Sequence, residues 1–251
     1  MKSPTPCLGA LGSTDSRRGE LALGDLGLSD PGVPGAAVIA DGAALSGLLA
    51  KGGEELLDRG YLRYKPGTSL VAGLRLGSGP AFAYAVSAEA RPKLVKLVER
   101  APEGAVLVDS TTVSLLVARP AADRDLPALA NPRRLSAVVG RHVPTWTTLA
   151  YKPQRRWVGS PDGESRSREL VLRAYRPREL AAAMAGWRLA GQLGEAVVDV
   201  RLPAARTVSA RRGLAAVSWL PGTPLDRLLD DGGKSRTPVS KVMLVEVGAA
   251  L

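Results

Sequence analysis

Hydrophobic positions along the chain switch between a helical period and an alternating one, and the switches predict an ordered series of short elements. Residues 43–57 carry Leu45, Leu48, Leu49, Leu56 and Leu57 at helical spacing, with Gly47, Gly52 and Gly53 as weak points that predict a split helix. Tyr61, Leu62, Arg63, Tyr64 and Lys65 then read as a strand closed by the turn pair Pro66 and Gly67, and residues 69–76 read as its hairpin partner. Residues 82–86 form a third strand. A helix follows over 90–100, with Leu94, Leu97 and Val98 on one face and Pro92 in the first turn. Residues 106–108 and 113–117 read as two more strands.

That order recurs further along. Leu149-Ala150-Tyr151-Lys152-Pro153 echoes Leu62-Arg63-Tyr64-Lys65-Pro66, with the two tyrosines 87 residues apart. A third strand follows each tyrosine after about 19 residues, and each leads into a helix, at 90–100 and at 178–192, and then into two strands. The strand ends at 115–120 and 215–221 correspond, as do the segments 125–129 and 225–229 behind them. We therefore expect an α+β chain with two tandem units, each a small antiparallel sheet backed by a helix. Residues 1–34, rich in Gly, Pro, Ser and Asp, read as a flexible leader. Residues 35–135 and 145–230 are the two units, and 231–251 a loop and a helix with Val239, Met243, Val247 and Leu251 on one face.

Composition narrows the chemistry. At 45% hydrophobic residues the chain can build a core, so it belongs with globular proteins. A single cysteine, Cys7, excludes a disulfide framework, and a single histidine, His142, excludes a histidine metal cluster. The net charge of +10 raises nucleic-acid binding, but the excess is scattered arginine without a basic helix face or an aromatic platform, which argues against it. The longest apolar stretch, 36–50, is broken by Asp41 and falls short of a membrane span, and the N-terminus lacks the pattern of a signal peptide. A soluble, cytoplasmic protein without a membrane partner is the expectation.

The run Arg168-Glu169-Leu170-Val171-Leu172-Arg173-Ala174-Tyr175, a helix, and then Gly213-Leu214-Ala215-Ala216-Val217-Ser218-Trp219-Leu220-Pro221-Gly222-Thr223-Pro224-Leu225 resemble the N-terminal lobe of aminoglycoside phosphotransferase-like small-molecule kinases. The resemblance covers about residues 145–251. The Tyr-Lys-Pro region before it is similar to an N-terminal extension of some bacterial members, which makes the first unit a degenerate lobe. The resemblance implies ATP with Mg as cofactor. Residues 156–166 would cover the phosphates, with Gly159 and Gly163 giving the backbone freedom. Arg173 takes the place of the third-strand lysine, and Ser218, Trp219 and Leu220 supply the hinge that meets the adenine edge. Where the family pairs that cation with a helix glutamate, this chain has Trp187, Arg188 and Leu189, with Glu179 earlier and Glu195 later.

The family's catalytic aspartate and metal-binding aspartate belong to a C-terminal lobe, and no counterpart follows the hinge here. The expectation is a truncated or split phosphotransferase, at most nucleotide-binding by itself and without catalytic residues of its own. Its complement would be a C-lobe chain or another copy, and its ancestral reaction phosphorylation of a hydroxyl on a sugar or aminoglycoside-like molecule. The rival reading is a non-catalytic scaffold that docks a partner through the helix at 238–251. Gly232-Gly233-Lys234-Ser235 imitates a phosphate loop but has Leu228 where the first glycine is required. Asp123, Asp125 and Asp226 match no metal-ligand spacing, and His142, ahead of the hinge, reads as structural.

Overall fold

The computed structural model describes residues 28–162, 170–196 and 203–219. It contains two five-stranded antiparallel sheets and a few helices, an α+β architecture. In the first unit, helices α1 (Gly35–Ala40) and α2 (Gly42–Ala50) precede the strands β1 (Leu56–Lys65), β2 (Ser69–Leu76) and β3 (Gly79–Val86). Helix α3 (Arg91–Arg100) and strands β4 (Val106–Ser110) and β5 (Leu115–Ala118) complete it. The second unit has α4 (Pro132–Val139), β6 (Trp146–Lys152), β7 (Arg156–Pro161), β8 (Leu170–Tyr175), α5 (Pro177–Ala196), β9 (Ala205–Ser209) and β10 (Leu214–Ser218). Strand order is β1-β2-β3-β5-β4 in one sheet and β6-β7-β8-β10-β9 in the other, so the units share one connectivity.

The duplication extends to individual hydrogen bonds. Lys65 opposes Ser69 as Lys152 opposes Arg156, and Tyr84 lies between Val71 and Leu116 as Arg173 lies between Val158 and Ala215. Val86 N–H donates to Ser114 O at 3.1 Å, and Tyr175 N–H to Gly213 O at 2.8 Å. Two turns demand left-handed backbone in both units. Gly67 (φ 63°) corresponds to Gln154 (φ 59°), and Ser114 (φ 49°) to Gly213 (φ 68°). Each unit thus uses glycine at one of the two turns and a residue with a Cβ at the other, where the conformation is strained.

Both faces of each sheet are covered. Alternating residues of β2, β3 and β5 bury Leu70, Ala72, Ala83 and Val117 against Ile39, Leu45 and Leu49 of α1 and α2. The opposite residues, Phe82, Tyr84, Val86 and Leu116, pack on Leu94 and Leu97 of α3. In the second sheet Trp157, Leu172, Ala174, Leu214 and Ala216 meet Leu126, Leu129, Leu135 and Val138. Tyr175 and Ala215 face Leu180 of α5 on the other side. No described helix is long and apolar enough to cross a membrane.

Three expectations are adjusted. Residues 28–34, read as the end of the leader, belong to the first unit: Val33 is fully buried and Leu28 packs on the same core. The helix expected over 43–57 stops at Ala50. Gly53 turns the chain with φ 75°, and Leu56 and Leu57 open β1 instead. Residues 125–135, placed with the first unit, cover the second sheet together with 136–139, because Leu126, Leu129, Leu135 and Val138 find their apolar partners there.

Candidate functional site

The sequence-predicted nucleotide residues are distributed over β7, β8 and β10. Arg173 stands on β8 and, by strand alternation, on the face of Tyr175, opposite Leu172 and Ala174. That face meets α5, and the guanidinium carbon of Arg173 lies 4.6 Å from the centroid of the Trp187 ring. A stacked cation of this kind contributes about 0.5–2 kcal/mol, more as water is excluded. Arg173 Nε is buried and has no hydrogen-bond acceptor among the described residues. Glu179 is not its counter-ion. It accepts from Arg176 Nη1 at 3.1 Å, while Arg176 Nη2 reaches Asp125 at 3.3 Å.

Gly159 has a packing reason. It lies inside β7, not in a turn, opposite Thr148 and Leu172, and a Cβ there would sit 2.2 Å from the Trp157 ring. Residues 156–161 are strand β7, joined to β6 by the turn at 153–155 and paired antiparallel with β8, while 163–166 lie outside the described residues. Ser218 ends β10, where its N–H donates to Ala204 O at 2.9 Å and its Oγ accepts from Ala204 N–H at 2.8 Å. Trp219 follows, partly exposed. Gly163 and Leu220 lie outside the described residues, as does the helix expected at 238–251. His142 is exposed in the loop after α4.

What the sequence reading missed is a carboxylate clasp present in both units. Asp30 Oδ2 accepts from the Tyr64 hydroxyl at 2.8 Å and from Gly67 N–H at 2.7 Å, and Asp30 Oδ1 accepts from Gly32 N–H at 2.8 Å. Asp123 Oδ2 accepts from the Tyr151 hydroxyl at 2.9 Å and from Gln154 N–H at 2.7 Å, and its Oδ1 accepts from Asp125 N–H at 3.1 Å. The signal was in the sequence. Asp30-Pro31-Gly32-Val33-Pro34 and Asp123-Arg124-Asp125-Leu126-Pro127 share an Asp, an apolar residue three places on, and a proline.

The two clasps differ in electrostatics because they differ in burial. Asp30 lies near solvent, and the Gly67 N–H, then the Tyr64 hydroxyl, draw its carboxyl below the ordinary value of 3.8. Asp123 is only 2% exposed. Burial pushes its carboxyl above the ordinary range, outweighing the donors from Gln154, Tyr151 and Asp125. Burial also raises the Tyr151 hydroxyl well above its usual value, with the Asp123 charge adding to it.

The same turn joins the units. The Tyr151 ring packs edge-on to Phe82 at 6.5 Å and touches both the α3-side core and the core beneath α4. Arg63 donates to Gln154 Oε1, and Lys152 Nζ sits 5.9 Å above the Tyr61 ring. Gly73 leaves room for Pro153, whose Cδ would lie 3.4 Å from an added Cβ. Beside this contact an open, largely apolar cleft of about 440 Å³ runs between β1–β2 and β6. It contains none of the predicted nucleotide residues.

No protein-family model, curated protein or solved structure matches this chain. Among the described residues, no three His, Cys, Asp or Glu side chains come together as a metal site.

Proposed function

We propose that the chain is the nucleotide-holding part of an aminoglycoside phosphotransferase-like kinase, in which the second unit receives ATP with Mg and the first is a cap derived from the same unit. The observation that carries this reading is the placement of Arg173. A cation on the third strand of the second sheet turns toward the helix that follows that strand. At the matching position of the first sheet stands Tyr84, packed in the core, so only the second unit carries a cation there.

Arg173 fits the role of neutralising phosphate charge, since its buried Nε has no acceptor among the described residues and a guanidinium binds phosphate through paired donors. Trp187 holds the guanidinium plane in the meantime. When bound, Mg-ATP would supply the transferable phosphoryl group. Metal ligands would come from the phosphates and from groups beyond the described residues, as would the base that orients the acceptor hydroxyl. The class of acceptor, a sugar or aminoglycoside-like hydroxyl, follows from the family resemblance.

Calorimetric titration of Mg-ATP into wild-type and Arg173→Ala protein tests the proposal. Saturable binding that weakens at least tenfold in the variant supports it. Absence of saturable binding, or equal affinity in both proteins, overturns it.

A further inference from the structure

We infer that the junction between the two units is a binding site for a small phosphate-bearing molecule, separate from the surface around Arg173. A pocket of about 270 Å³ opens between α3 of the first unit, the connection at Pro120–Ala122, and the start of the second unit at Pro127. Lys96 and Arg100 are four residues apart on α3 and so share a helix face, and Arg124 comes from the inter-unit connection. All three side chains are exposed.

These cations have no carboxylate partner among the described residues, because the acidic groups at the junction are engaged elsewhere. Asp123, which also lines the pocket, has both oxygens occupied by donors from Asp125, Tyr151 and Gln154. Asp125 holds Arg176 at 3.3 Å. Glu99, one position round α3, is not part of the lining. Arg100 sits in the last turn of α3, where it also serves the helix's carbonyl end, but Lys96 and Arg124 have no such task.

The rest of the lining is mostly apolar. Leu97 and Ala122 are buried beneath it and Pro127 forms one wall. A doubly charged phosphate suits a lining with three cations, and a short carbon skeleton suits the apolar floor. The volume lies just under the range of about 300–1,000 Å³ usual for drug-sized ligands, which limits the guest to about the size of a sugar phosphate. Because its walls come from different units, a bound guest would tie the cap to the second sheet.

The test is calorimetric titration of inorganic phosphate and of glucose 6-phosphate, with glucose and sodium chloride at matched ionic strength as controls. Saturable binding of both phosphates and not of glucose is expected. It should weaken at least tenfold in the Lys96→Gln/Arg124→Gln double variant and stay unchanged in Arg133→Gln, at an exposed cation of α4 outside this pocket. Both substitutions of the double variant are at exposed positions, and circular dichroism checks that it folds. The inference is overturned if no saturable heat appears at about 10 mM phosphate, or if the double variant binds as the wild type does. Binding lost in Arg173→Ala alone would also overturn it, by moving the phosphate to the second sheet.

Discussion

Replacing Asp123 by alanine removes the acceptor of three hydrogen bonds at once, two of them with donors in the β6–β7 hairpin that joins the units. Gln154 is buried and the Tyr151 hydroxyl lies deep in the junction, so neither donor has ready access to water. A buried donor left without a partner costs about 1–3 kcal/mol, which gives about 2–6 kcal/mol for the pair. Losing the buried carboxylate itself offsets part of this, since its burial is unfavourable to the charged form. The expected loss is about 2–4 kcal/mol, or about 4–16 °C in Tm for a chain of this size. Asp30→Ala is the internal control. It breaks the same three-donor arrangement where solvent can replace the carboxylate, so its loss is smaller. Urea titration followed by far-UV circular dichroism, to which the strands of both units contribute, reads the difference. If Asp123→Ala unfolds at the same urea concentration as Asp30→Ala or higher, burial of the clasp does not set its worth and the reasoning fails.

Gly159→Ala drives a methyl group into the Trp157 ring and is expected to destabilise by about 1–3 kcal/mol, whereas Gly47→Ala in α2, with open space at its Cβ, stabilises by up to about 1 kcal/mol; thermal melts of both variants check the pair. Ser114→Gly relieves a left-handed residue and should raise Tm slightly, while Gly213→Ala at the matching turn puts a Cβ 2.3 Å from Tyr175 O and should lower it by more. The clasps also respond to pH in opposite senses. Asp30, with its folded pKa lowered, contributes stability that is full above 3.8 and is lost as pH falls through the lowered value, so the gap in Tm between wild type and Asp30→Asn narrows on acidification. Asp123, raised, favours the fold fully below 3.8 and loses that contribution as pH rises through its folded value, so Asp123→Asn changes the profile with the reverse slope.

The strands were legible because they are short apolar runs bounded by turn residues. Residues 69–76 and 170–173, read from the pattern, fall on β2 and β8, and the helices at 90–100 and 178–192 fall on α3 and α5. The repeat was legible from Tyr-Lys-Pro and the order of elements, and the matched registers extend it. The boundary between units was not legible. Residues 125–139 hold two short apolar helical segments that would suit either sheet, and only the three-dimensional fit of Leu126 and Val138 beside Trp157 decides between them. At the candidate site the residue type was readable and its surroundings were not. Arg173 announces a charge on a strand, but whether Trp187 or a glutamate would meet it depends on the phase of α5 against the sheet. Gly159 suggested backbone freedom in a phosphate-covering hairpin, and its missing side chain also makes room for an aromatic ring two residues away. The clasp escaped because its aspartates lie 34 and 28 residues before their tyrosines, a separation that local patterns do not span.

In both units, then, the carboxylate that fastens the first hairpin comes from the segment leading into the unit. This determines where the protein can be dissected. A fragment beginning at residue 145 would keep all five strands of the second sheet but lose Asp123 and the helical cover over Trp157 and Leu172, exposing a broad apolar face and freeing the Tyr151 turn. Beginning it at residue 120 retains both, and by the same logic a fragment of the first unit beginning at residue 35 would lose Asp30 and the buried Val33.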